Sequence, residues 1–309
     1  MLSQSSRSFI LAALGGALLL SVPAHAGVEL PPLDDPQFVE WAGKASADLE
    51  RYLADPKGTF AMPAEGKAFP CEVPPDVLSR IIGVRLPGVP PDEDLRKAMA
   101  RATRGTGMKP FEFTDVVVRP VEASCKDGKP AGLFKGWVEY TMVNASATAI
   151  QRDRTRKYVE TGFAENGERR GLVIERTMSL ESRAEWTDPA MADMMRKNPV
   201  KMPRMTMTSF IYTQVNPDKS HKGVTISHTA MEGEPPSVST LLMFPKGPGR
   251  WLMVSYDGRQ KTMEIPFRNN RMHGAQVQYA RMYRGIAIPA STVCYDEGEQ
   301  VKTTQCDVD

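Results

Sequence analysis

Asp127 to Gly132 reads DGKPAG, Asn166 to Gly171 reads NGERRG and Asn269 to Gly274 reads NNRMHG. Asparagine or aspartate beside glycine supplies the left-handed backbone of a tight hairpin turn. Gly128, Gly167 and Asn270 therefore read as turn residues, and Gly132, Gly171 and Gly274 as closing glycines at which a tight turn or a close backbone approach is expected. A strand-like run follows each unit. In the second and third units the fifth residue after the closing glycine is Arg176 or Tyr279, whereas the first unit runs on to Trp137–Tyr140, WVEY. Recurrence of one turn-plus-strand unit predicts a chain of antiparallel hairpins.

Outward from these units, the pattern from Lys109 onward alternates with period two and is rich in β-branched residues. Strands are expected at Phe111 to Val121, Leu133 to Val143, Arg154 to Ala164, Leu172 to Ser182, Thr206 to Val215, Gly223 to Met231, Ser237 to Phe244, Trp251 to Tyr256, Thr262 to Phe267, Ala275 to Tyr283 and Ile286 to Tyr295. Short turns join most of them, as antiparallel neighbours require. One helix interrupts the series, capped by Asp188-Pro189 and running to Lys197. The expected fold is mainly β, an antiparallel meander forming a sheet, a sandwich or an open barrel, with a small helical N-terminal region.

That N-terminal region occupies residues 27–107 and the β region 108–309. Asp35-Pro36 reads as N-cap and first turn of an amphipathic helix with Phe38, Trp41, Ala45, Leu49 and Leu53 on one side, ending at Asp55-Pro56. A short apolar turn follows at Val77 to Ile82, then a helix over Asp92 to Arg104 stopped by Gly105. Three short helices bury little by themselves, so they are expected to pack on the strands.

Met1 to Ala26 has the form of an export signal: Arg7, an apolar core from Phe9 to Val22, and Ala24-His25-Ala26 before Gly27. The 14-residue core is shorter than the roughly 20 residues a spanning helix needs. Cleavage leaves 283 of 309 residues and a charge near +1, since Arg7 is the only charge lost from +2. The expectation is a periplasmic or secreted protein that does not span the membrane, and so balanced a charge gives no pull toward nucleic acid. Four cysteines exported together favour disulfides, with Cys71 to Cys125 and Cys294 to Cys306 preferred among three connectivities. A hairpin turning at Glu297-Gly298 places Val301, not Cys306, opposite Cys294, so the second pair requires the tail to bend back.

The glycine-turn units resemble the bacterial MORN-type repeats of YwqK-like antitoxin components, in which N/D-G, three residues, glycine and an aromatic-ended strand are iterated. The units here are scattered over Cys125 to Gln305; Tyr140 lies eight residues after Gly132 rather than five, and Asn270 replaces the opening glycine of the third. YDGRQKT from Tyr256 and YDEGEQV from Tyr295 carry the opening turn without the closing glycine. The resemblance implies an immunity or antitoxin-like partner protein.

Four features bear on chemistry. Met191, Met194, Met195, Met202, Met205 and Met207 crowd together, and thioethers suit cuprous copper; they equally fill irregular core, and no cysteine lies nearby. After cleavage only His221, His228 and His273 remain. The first two are seven residues apart, which places them on opposite faces of a regular strand. Arg152, Arg154 and Arg156 alternate and project from one strand face, with Lys157 beside them and Arg169-Arg170 in the next turn, a stripe able to meet phosphate or an acidic partner. Carboxylate pairs for glycoside hydrolysis depend on tertiary separation and are not readable. No G-x-S-x-G, HExxH, phosphate-loop or CxxC motif occurs. The expected function is a non-catalytic binding or structural module of the envelope with a protein or envelope-component partner, no cofactor and no metal. Tyr140, Arg152, Arg154, Arg156, Arg176 and Tyr279 are its candidate binding residues; oligomeric state is not specified. A copper-handling protein and an envelope hydrolase are the alternatives.

Overall fold

The computed structural model describes residues 29–91, 93, 96, 109, 111–197, 204–283, 286–302 and 306. The expected export signal, residues 1–26, Met202 and, apart from Glu93 and Arg96, the expected helix Asp92 to Arg104 lie outside them.

Helix α1, Pro36–Ala54, begins where the aspartate-proline pair places it, with Asp35 Oδ1 accepting from the Gln37 N–H at 2.9 Å. Phe38, Trp41, Ala45 and Leu49 are buried along its inner side, but Leu53 is 52 % exposed because the helix runs past its support. A single turn, α2, covers Pro56–Thr59. The apolar run expected as a turn is a helix, α3, Pro75–Ile82, ended by Gly83 in the left-handed conformation. A last helix, α4, Pro189–Lys197, starts on the predicted aspartate, whose Oδ1 accepts from the Met191 N–H at 2.8 Å.

The strands form one antiparallel meander: β1 (Glu112–Lys126), β2 (Lys129–Ala145), β3 (Ala149–Phe163), β4 (Arg169–Trp186), β5 (Met205–Val215), β6 (His221–Met231), β7 (Ser237–Gly247), β8 (Arg250–Asp257) and β9 (Gln260–Arg268), each beside its predecessor. Beyond β9, the two-residue β10 (Arg271–Met272) folds back on it, and β11 (Gly274–Gln278), β14 (Ser291–Asp296) and β15 (Glu299–Val301) complete a 13-stranded sheet that does not close. The two strands expected over Ala275 to Tyr283 and Ile286 to Tyr295 are each interrupted. Their distal parts, β12 (Arg281–Tyr283) and β13 (Ile286–Ile288), pair only with each other. Pro289 lacks the N–H that would continue the ladder, and Tyr279, one residue before the Ala280 that would face it, donates its N–H to the Thr262 carbonyl instead.

All three quoted units lie at hairpins. Asp127-Gly128 and Asn269-Asn270 are two-residue turns with positive φ at both positions, and Gly167 closes a three-residue loop at φ 79°. The closing glycines share one property, φ of 119° at Gly132, 70° at Gly171 and 101° at Gly274.

Adjacent residues of a strand face opposite ways, and the sheet uses both sides. On one, α1 covers Phe210, Tyr212, Val224, Ile226 and Leu242, with Trp137 at the margin. On the other, α3 packs against Phe134, Val138, Val159 and Phe163. The chain passes from the first side to the second across the edge of β1. Phe60 packs edge-on against Trp137 on the α1 side, and Phe69 stacks on Phe134 on the α3 side at 5.7 Å. Between them the Lys67 N–H donates to the Pro120 carbonyl at 2.7 Å, and Cys71 joins Cys125. This strap covers the outer edge of a strand whose own Pro120 is compatible only with an edge. The second bond is Cys294 to Cys306, and Val301 is the residue opposite Cys294 in the ladder, as the turn at Glu297-Gly298 predicts. Among the described residues no helix is long and apolar enough to cross a membrane.

Candidate functional site

The candidate binding residues fall into three places. At the corner made by β1, β2 and β3, Asp115, Val117, Glu139, Tyr140, Thr141 and Arg154 line a cavity of about 320 Å³. Registry explains the gathering: Glu139 pairs with Arg156 and Thr141 with Arg154, so the arginine stripe and Glu139 share the α1 side of the sheet. Arg154 donates Nε and Nη2 to Glu139 Oε1, the first at 2.8 Å, and Arg156 donates Nε at 2.9 Å and Nη2 at 2.7 Å to Oε2. Arg156 also ties the strap, donating Nη1 to the Phe60 carbonyl at 2.8 Å. Burial alone would raise the Glu139 carboxyl, but the bonds from Arg156 and Arg154 outweigh it and hold it below the ordinary carboxylate range. Arg152 lies further out on the same face, 3.9 Å from Glu185.

Across the cavity Asp115 has φ 54°, in a bulge where the β1–β2 register slips between Thr114 and Val117. A non-glycine residue in that region stores strain, which gathers where a side chain is being aimed. Tyr140 turns its ring to the α3 side, away from Glu139, where it is half-buried rather than exposed and edge-to-face with Phe113 at 5.4 Å; burial followed by the charge of Glu175 pushes its phenol up.

The second place joins α1 to the sheet. Arg176 does not reach out for a partner; its Nε donates to Asp48 Oδ2 at 2.8 Å, and its guanidinium lies 5.2 Å from the centre of the Tyr158 ring. Tyr212 donates its hydroxyl to the same oxygen at 2.7 Å. Asp48 is only 4 % exposed, and burial with the adjacent carboxylate pushes the Tyr212 phenol up to about 12. On the opposite side of the sheet Glu175 gathers Lys157 and Arg169, at 3.2 Å and 2.9 Å. Burial, reinforced by Arg169, lowers the Lys157 ammonium despite that carboxylate.

The third place is the far end of the sheet, where Lys261 lies over the Tyr279 ring at 5.5 Å. Tyr279 is thus many strands away from the arginine corner.

The histidines stand as their spacing requires. His228 is buried on the α1 side, 6.1 Å from the Tyr52 ring, and His221 is on the other, 5.1 Å from the Trp251 ring. Burial lowers both imidazoles. Of the methionines, Met191, Met194 and Met195 belong to α4 while Met205 and Met207 open β5 with exposed side chains.

Sequence reading missed Glu139, although it lies within the WVEY stretch, because a carboxylate's partners on the next strand emerge only with the register. It missed Asp48 too, whose one signal is an acidic residue on the apolar side of α1, one turn after Ala45. Comparison of the chain with protein-family models, with curated proteins and with solved structures gives no match.

Proposed function

We propose that this chain is an exported, non-catalytic binding module of the cell envelope whose β1–β3 corner receives an acidic group, carboxylate or phosphate, of a partner. The observation that carries the reading is the arrangement of the arginines around one buried carboxylate. Glu139 is 12 % exposed and fixes both guanidinium groups, yet Arg154 remains 52 % exposed and Arg152 43 % exposed along the same face. Guanidinium carries five N–H donors, and Arg154 gives Glu139 only its Nε and Nη2 edge. A fixed, partly exposed fork is well suited to a second planar acceptor. The cavity beside it admits the side chain that bears that acceptor.

Export is supported by the signal-like Met1 to Ala26 and by four cysteines that are all paired. Against an enzyme stand the opposed faces of His221 and His228, which prevent them from acting on one substrate atom.

The test is capture of a partner from a periplasmic extract by the mature chain, with Arg152→Glu, Arg154→Glu against His221→Ala and His228→Ala. The arginine variant is expected to lose the partner and the histidine variants to keep it. Loss of function in a histidine variant alone would identify an enzyme instead.

A second reading follows from the glycine-turn units, whose closing glycines all have positive φ four residues after a left-handed turn residue. That shared backbone favours treating them as one repeated unit of the MORN type, with a toxin-like protein as partner. A toxin-like gene beside this one is the expected finding, and its absence argues for the envelope partner.

A further inference from the structure

We propose that His273, Asp296 and Glu297 form a site for a divalent first-row transition-metal ion of the Zn²⁺ class. Sequence spacing hides this set, because the histidine and the nearer acid are 23 positions apart. The topology removes that distance. β11 pairs with β14 so that Gly274 faces Tyr295, which brings His273, just before one strand, beside Asp296, at the end of the other. Each side chain offers one ligand atom, and the three atoms lie within 4.8 Å of one another.

Three features distinguish the set from a chance grouping at a hairpin end. The His273 ring is 14 % exposed, and its Nδ1 is buried without a hydrogen bond, 3.2 Å from Asp296 Oδ1. The aspartate is thus within ion-pair distance of that nitrogen without hydrogen-bond geometry, and an ion shared between them is one way to satisfy both groups. Ligands at about 2.1 Å from a tetrahedral ion stand roughly 3.4 Å apart. The histidine and aspartate already have that spacing, so Glu297, on an exposed turn, is the one group that must swing inward. Finally, the frame is held without the ion: the His273 N–H donates to Pro266 at 3.0 Å and the Gly298 N–H to Met272 at 2.8 Å, clipping the two loops together.

The charges around the set define its competitor. Arg271 Nη1 is 3.6 Å from Glu297, and Arg268 Nη1 is 3.5 Å from His273 Nε2. One guanidinium group thus stands against the Glu297 carboxylate and another against the far ring nitrogen of His273. A metal ion replaces Arg271 on Glu297, and ligation through Nδ1 leaves the imidazole proton on Nε2, so Arg268 must turn aside. One imidazole with two carboxylates and no thiolate suits Zn²⁺ or Mn²⁺ rather than cuprous copper, and water completes the shell.

The experiment is calorimetric titration of the mature, disulfide-bonded chain, free of any histidine tag, with Zn²⁺ and Mn²⁺ and with Mg²⁺ as control. One equivalent of Zn²⁺ is expected. Glu297→Gln, an exposed isosteric change, should weaken it at least tenfold, and Arg271→Ala should tighten it severalfold because the competing cation is gone. A histidine–aspartate pair with a purely structural role predicts no saturable Zn²⁺ binding, or binding indifferent to both changes, and either result overturns the proposal.

Discussion

Gly132 and Gly171 occupy equivalent places in two hairpins, yet only one of them is hemmed in. A Cβ at Gly132 would stand 2.2 Å from Ser124 Oγ, which cannot retreat without giving up the Leu133 N–H it accepts at 2.6 Å. At Gly171 the space is open and only φ resists a side chain. Gly132→Val should therefore cost about 3 kcal/mol and Gly171→Val about 1 kcal/mol. Urea melts of the two variants check the ranking, and equal losses would mean that φ alone matters. The same scale holds the alkaline limit of the fold. Tyr212 has its phenol raised from its ordinary value of 10 to about 12, so the stability it contributes is intact below pH 10 and is lost as pH rises from about 10 to 12. Asp48→Asn removes the charge that Arg176 and the Tyr212 hydroxyl share, and unfolding free energy should fall by about 3 kcal/mol. Ultraviolet titration of tyrosinate should at the same time show one late phenol in the parent move earlier in the variant. Turn residues were legible here because asparagine-glycine chemistry is local. Ser124 and Asp48 were not, because what each touches is set by a neighbouring strand or sheet.

Elements were read from period and punctuation, and the outcome follows from how local each signal is. Helix α1 carries its own N-cap and first-turn proline, and strands β1 to β9 alternate, so all appear close to where the pattern places them. The β12–β13 hairpin departs from the expected long strands because Pro289, present in the sequence, decides only where a ladder stops and not which way the chain then turns. The strap from Phe60 to Cys71 has no periodicity, yet it carries the chain over the β1 edge and is tied by Arg119 to the Pro63 carbonyl and by Lys67 to Pro120. The Cys71–Cys125 bond spans 54 positions, for which loop-closure entropy gives about 4 kcal/mol. Cys71→Ser, Cys125→Ser should lower stability by about that amount, and hydrogen exchange should rise first at the Lys67 amide. Unchanged protection there would mean that the strap's hydrogen bonds hold it without the covalent tie.

For the whole molecule, the open question at sequence level was sheet, sandwich or barrel. Nothing local decides it, because closure depends on whether the first and last strands of the sheet meet, and they do not. An open sheet with α1 on one face and α3 on the other leaves the β1–β3 corner as the place where charge, cavity and strained backbone coincide. The arginine stripe was legible from its alternation, whereas Glu139, whose one carboxylate fixes both Arg154 and Arg156, was not. If this corner is where the partner docks, position matters more than composition. The most direct measurement is photo-crosslinking in cells from a reactive residue placed at Thr141, on the cavity wall, against one at Thr225, on the opposite side of the sheet. A discrete adduct from Thr141 that disappears with Arg154→Glu, and none from Thr225, is the predicted result; an adduct from Thr225 alone, or one from Thr141 that ignores the arginine, would contradict the assignment.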